Sequence, residues 1–168
     1  MEFATKCIHE IGAADATDAC LGALDAWLVI RGIKTLPLRM EQHQKNAFAI
    51  AKWLQEQPRV QYVLYPGLEN HPGYAINKAQ TTGMISFAVD SAETARQILE
   101  GVKLIKFTES LGGTESLITY PIRQTHTDLT AEECAEKGIT DCLLRFSTGI
   151  EATQDLIDDL AQAFAAVE

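Results

Sequence analysis

The chain contains no Cys-x-x-Cys pair, no two histidines at helical spacing, no unbroken apolar run of membrane-spanning length and a shortage of basic residues. Each absence removes a class of function. Cys7, Cys20, Cys134 and Cys142 are scattered and are read as free thiols, because a disulfide framework or a zinc knuckle needs tighter spacing. His9, His43, His71 and His126 are equally dispersed and have no carboxylate cluster beside them, so no metal is expected. Fourteen Lys and Arg against 23 Asp and Glu give a net charge of -9, which opposes the counterion-release attraction that nucleic acids offer. Nucleic acid is therefore not an expected partner. Nowhere does the chain hold the ~20 consecutive apolar residues a membrane helix needs. Met1 to Lys6 carry an early acid and lead into no apolar run, which argues against a secretory signal and makes the cytoplasm the expected location.

What is present is a globular composition. In 168 residues, 46% are hydrophobic and 22% charged, enough for one domain with a short appendage. Ile11 to Ala19 is small and polar and reads as a linker or an alanine-driven helical lead-in, so residues 1–21 form an arm and 22–168 a single domain. Leu24, Trp27, Leu28, Leu36, Met40, Ala47, Ile50, Ala51 and Leu54 follow a helical period interrupted near Gly32 and Pro37. That pattern predicts two consecutive helices, or one long kinked helix, ending at Pro58. Strands are predicted at Val60–Tyr65, Met84–Val89, Leu104–Phe107, Ser116–Tyr120 and Cys142–Phe146. Asp90 with Glu93, and Thr130 with Glu133, have the spacing of helix capping boxes. A last helix carries an apolar stripe through Leu156, Leu160 and Phe164, and its acidic face of Asp155, Asp158 and Asp159 reads as solvated surface. The sum is an α+β fold: a small mixed or antiparallel sheet with helices packed on one face, preceded by the kinked helix.

Four segments stand out: Gly22-Ala23-Leu24-Asp25-Ala26-Trp27-Leu28, Arg31-Gly32-Ile33-Lys34-Thr35-Leu36, Ser110-Leu111-Gly112-Gly113-Thr114-Glu115-Ser116-Leu117, and Leu144-Arg145-Phe146-Ser147-Thr148-Gly149-Ile150-Glu151. In that order and spacing the chain resembles, from Gly22 almost to its end, the C-terminal domain of the pyridoxal-phosphate enzymes of transsulfuration, the cystathionine γ-synthase, γ-lyase and β-lyase family. The resemblance implies that Arg145 binds a substrate α-carboxylate. Physical chemistry agrees, since a guanidinium offers a planar pair of donors and keeps its charge near neutral pH. Strand alternation puts Arg145 on the side of Leu143 and Ser147. The resemblance also places Glu115 and Ser116 along the substrate cleft, with Thr119 a weaker candidate. Read from the residues alone, Arg145 is a surface arginine or one paired with a nearby acid, Glu115 a turn-flanking acid, Ser116 a strand cap, and Gly112-Gly113 a turn that permits positive φ.

Pyridoxal-phosphate chemistry requires a Schiff-base lysine, a carboxylate on the pyridine nitrogen, a stacked aromatic ring and a phosphate cup. In the family these come from a large domain preceding the position of Gly22, where this chain offers only Met1 to Leu21. The arm Phe3 to Glu10 resembles the family's extreme amino terminus. Ala4-Thr5-Lys6 is similar to the Schiff-base motif but lacks the Tyr and Gly-His that follow it, so Lys6 is read as an arm residue. The expectation is a truncated relative that retains a carboxylate-binding small domain, binds no cofactor alone and is not catalytic alone. Its expected partners are a small amino acid and further copies of itself. Two alternatives remain open: a self-associating module without enzymatic function, or a small subunit completed in trans by a pyridoxal-phosphate domain for β- or γ-elimination or replacement on cystathionine-like amino acids.

Overall fold

The computed structural model describes residues 21–77, 81–126 and 129–167, and its backbone divides into two compact units between Pro37 and Leu38. The readings placed on residues 1–20, including Lys6, Cys7, His9, Cys20 and the linker, lie outside the described residues.

In the first unit, α1 (Ala23–Ile33) is helical, and a turn closes behind it where the Thr35 amide donates to the Gly32 carbonyl at 3.3 Å. The expected kinked helix is therefore two helices, α1 and α2 (Leu36–Gln55). None of the α1 residues is buried, although Leu24, Trp27, Leu28, Val29, Ile30 and Ile33 are apolar and fall all round its circumference.

In the second unit, a five-stranded sheet has the order β1-β2-β5-β4-β3, with β1 (Val60–Leu64), β2 (Met84–Val89), β3 (Lys106–Phe107), β4 (Leu117–Thr119) and β5 (Leu143–Ser147). All neighbours are antiparallel except β3 and β4, which run parallel. Strand alternation sends Ile85, Phe87, Ile118, Leu144 and Phe146 to one face, where each is fully buried against apolar residues of α2 and of α6 (Thr153–Ala165). This is the single core. It lies on one side of the sheet, while the other side carries Ser86, Thr119, Arg145 and Ser147 together with buried Ala88, Leu117 and Leu143. Short helices α3 (Tyr74–Asn77) and α5 (Ala131–Glu136) and the longer α4 (Ala92–Gly101) complete the connections.

Local chemistry explains most element ends. Thr130 and Glu133 form the capping box their spacing predicts, and α5 stops before Gly138 at φ +69°. Two expectations are corrected. The N-cap of α4 is Ser91, whose hydroxyl accepts from the Thr94 amide at 3.0 Å, while the Asp90 carboxylate pairs with Arg59 at 3.5 Å. Ser and Asp cap equally well, so register decided between adjacent candidates. Asp159 is not solvated: only 7% exposed, its carboxylate accepts the backbone N–H groups of Lys103, Leu104 and Ile105 at 2.9, 3.0 and 2.9 Å. That loop thus satisfies its amides through a side chain, and β3 is confined to Lys106 and Phe107 rather than starting at Leu104.

Candidate functional site

Arg145 occupies the middle of β5, opposite Ser86 of β2 and Thr119 of β4, so all three project from the face of the sheet away from the core. Ser147 is on the same face one pleat further on. The Arg145 Nη2 donates to Thr119 Oγ1 at 3.4 Å, and Thr119 Oγ1 in turn donates to the Thr108 carbonyl at 3.0 Å. The guanidinium is half-buried, yet its Nε is out of reach of solvent and has no hydrogen-bond partner among the described residues. A buried donor left unsatisfied costs about 1–3 kcal/mol, and native proteins keep such a group where an ion, a water or a ligand completes it.

The Ser110–Leu117 segment runs beside this face. Ser110 has φ +143° and Gly112 φ +75°, so the backbone is held in conformations that L-residues avoid. The Gly112 amide donates to Ser147 Oγ at 3.0 Å, which ties the loop to the end of β5. Further along, Ser116 is fully buried. Its amide donates to Glu151 Oε1 at 2.6 Å, its hydroxyl donates to Glu151 Oε2 at 2.9 Å, and its oxygen accepts from the Gly149 amide at 2.8 Å. A Cβ on Gly149 would collide with the Glu151 carboxylate and the Thr114 carbonyl, so the closeness of this clasp demands glycine. Glu115 is exposed, accepts from Thr114 Oγ1 at 3.3 Å and folds its carboxylate back over Gly113.

Of the four residues singled out in the sequence, Arg145 and Thr119 are thus in direct contact, Ser116 sits inside a clasp whose hydrogen bonds are all internal, and Glu115 stands at the exposed rim. The residue that sequence reasoning left without a role is Glu151. Its partner lies 35 positions earlier, so no local pattern reveals it. The only available signal was its place at the end of the Leu144–Glu151 segment.

Helix α2 fixes the far end of β5. His43, only 3% exposed, donates from Nδ1 to the Thr148 carbonyl at 2.5 Å, and Asn46 Nδ2 donates to the carbonyls of Gly149 and Glu151 at 3.0 and 2.9 Å. At the other end of the strand, Tyr120 donates to the Asp141 carbonyl at 2.7 Å. Burial, then the Asp141 charge, push the Tyr120 phenol up. Burial likewise pushes the Cys142 thiol up, reinforced by its contact with Asp141 at 3.5 Å. Cys134 and Cys142 are both free, and no described group of three or more His, Cys, Asp or Glu could hold a metal ion.

Pyridoxal phosphate fits the described residues poorly. A Schiff-base lysine is made nucleophilic by a desolvated pocket or a neighbouring cation. Lys34, Lys45, Lys52, Lys103, Lys106 and Lys137 are all exposed. The unsatisfied donor belongs instead to a guanidinium, which suits a carboxylate.

The chain superimposes on the crystal structure of cystathionine gamma-lyase from Lactobacillus plantarum complexed with L-serine at a TM-score of 0.83 and 37% identity, covering 90% of this chain and 41% of that one. A family model described as Cys/Met metabolism PLP-dependent enzyme matches residues 4–165, and the chain belongs to that family. It is 51% identical over 147 residues to cystathionine gamma-synthase of Haemophilus influenzae, covering 88% of this chain and 36% of that protein. It is 47% identical over 152 residues to cystathionine gamma-lyase of Bacillus subtilis, covering 89% and 40%, and 44% identical over 164 residues to L-methionine gamma-lyase of Fusobacterium nucleatum, covering 95% and 42%. The chain therefore spans between 36% and 42% of the length of these curated relatives. Among the described residues, no helix is long and apolar enough to cross a membrane.

Proposed function

We propose that this chain is the substrate-carboxylate half of a transsulfuration-type enzyme: an arm over residues 1–21 joined to a small domain over 22–168, cytoplasmic, and inactive by itself. Arg145 receives the α-carboxylate of a cystathionine-like amino acid, Thr119 orients the guanidinium, and Ser116 and Glu115 bound the cleft. The observation that carries this reading is the buried, unpartnered Nε of Arg145 on the open face of the sheet. Pyridoxal phosphate would supply the electron sink for β- or γ-elimination or replacement. On this reading the group is held by a lysine-bearing domain acting in trans, and this chain alone binds amino acid without converting it. Calorimetric titration with L-cystathionine tests the reading. Saturable binding that falls more than about tenfold in Arg145→Gln is expected from loss of a charge-assisted pair worth ~1.5–3 kcal/mol. A chain that retains pyridoxal phosphate through dialysis and degrades cystathionine unaided overturns it.

A second reading, a self-associating module without catalysis, draws on α1. A helix that is apolar all round is ordinarily covered, yet Leu24 is 68% and Trp27 54% exposed. On this reading the helix is covered by another copy of the chain. Sedimentation equilibrium showing a strict monomer at high concentration removes that reading and leaves the first intact.

A further inference from the structure

A cleft of about 470 Å³ lies on the helix side of the sheet, between α2 and the segment that follows β1. Phe48, Lys52 and Gln55 recur along α2 beside its buried stripe and form one wall, while Glu69, Asn70 and Tyr74 stand on the other. Its volume falls within the range of ~300–1,000 Å³ usual for small-molecule sites and accommodates an amino acid. Arg145 projects from the opposite face of the sheet, so the cleft is separate from the carboxylate site.

Among the described residues, neither charged side chain of this cleft is in an ion pair. The Lys52 ammonium sits 4.6 Å from the centroid of the Phe48 ring, which places its charge at the cleft wall, and it enters no ion pair among the described residues. The Glu69 carboxylate has neither an ion-pair nor a hydrogen-bond partner there. A cation and an anion that share a cleft without pairing are complementary to a ligand carrying both signs. Phe48, which is 41% exposed, and Tyr74 also line the cleft and offer aromatic surface to an apolar side chain, and a thioether gains a further sulfur–aromatic contact. The amides of Gln55 and Asn70 can donate or accept.

We propose that this cleft is a second amino-acid site, taking a free zwitterionic α-amino acid with an apolar side chain, its carboxylate on Lys52 and its ammonium on Glu69. The half-open setting screens both contacts, so the dissociation constant is on the order of 1 mM. Because the site does not depend on Arg145, it stands or falls separately from the proposed function.

The experiment is a titration of the whole Arg145→Gln chain with L-methionine, followed by amide chemical shifts. Saturable shifts of Gly67 and Asn70, weakened about fivefold in Lys52→Met and again in Glu69→Gln, are the expected result. N-acetyl-L-methionine amide, which lacks both charges, does not saturate. Absence of saturable shifts at the cleft overturns the proposal, as do shifts indifferent to both substitutions or reproduced by the uncharged compound. L-cystathionine binding by the unsubstituted chain that is absent, or that is unchanged in Arg145→Gln, would sink the proposed function, and methionine shifts retained at the cleft would leave this site standing.

Discussion

A guanidinium carries five N–H donors, and among the described residues the hydrogen-bond partner of Arg145 is the Thr119 hydroxyl. Thr119→Val keeps the shape of the strand and deletes that acceptor. Thr119 is only 1% exposed and its hydroxyl also serves the Thr108 carbonyl, so a stability loss of about 1–2 kcal/mol is expected, and at temperatures where the variant is fully folded L-cystathionine affinity is expected to fall severalfold. An unchanged affinity in the folded variant would instead mean that Thr119 merely packs. Glu151 belongs to a different kind of residue. Replacing it with Ala leaves the buried Ser116 amide and hydroxyl without acceptors, for a cost of about 1–3 kcal/mol per group, read as an earlier urea midpoint. Cys142 provides a pH test. With its thiol pushed up by burial and Asp141, less thiolate is present at pH 8 than an ordinary cysteine would have, so alkylation of Cys142 is slow there and accelerates only as pH climbs further. Peptide mapping of iodoacetamide adducts measures this residue by itself. Of these three, only the mid-strand position of Arg145 was legible from the order of residues, and its carboxylate role is what the family resemblance implies. Glu151 and Asp141 act across space or through burial, which the order of residues does not encode.

At the scale of elements, two substitutions separate what spacing implied from what the backbone chose. Ser91→Ala removes the real cap of α4 and is expected to cost about 1 kcal/mol, whereas Asp90→Ala stays within about 0.5 kcal/mol because it disturbs only an exposed pair with Arg59. Urea denaturation of the two variants ranks them, and the reverse order would restore Asp90 as the cap. Asp159→Ala strips the acceptor from the amides of Lys103, Leu104 and Ile105 and is expected to lower stability by roughly 3 kcal/mol, far more than the truly surface-facing Asp158→Ala. The strands at Val60, Met84, Leu117 and Leu143 were readable because β-branched and apolar residues cluster between turn signals. The strand at Leu104 was overestimated for the reason that Asp159 explains: its first amides turn away from the ladder to meet a carboxylate brought from 54 to 56 positions downstream.

In the whole molecule, the face of the sheet packed on the helices carries the main core, and the other combines buried Ala88, Leu117 and Leu143 with the polar groups of Arg145, Thr119 and Ser147. Phe146 and Arg145 are adjacent in sequence and point to opposite faces, so Phe146→Ala is expected to destabilise by about 3–5 kcal/mol, while Arg145→Gln alters binding with little loss of stability. The composition, the alternation of β5 and the helical stripe of α6 determined by themselves that a helix-backed sheet would form and that Arg145 would share a face with Leu143 and Ser147, because periodicity is local. The family was also legible there, through four short segments kept in order. Only the tertiary structure decided that Glu151 clasps Ser116, that Asp159 is an internal acceptor, that Thr119 meets Arg145, and that the Arg145 Nε is left unmatched. Each of these depends on backbone N–H groups and side chains converging from dozens of residues apart, and hydrogen bonding is directional, so the geometry that settles it exists only once the sheet has closed its register.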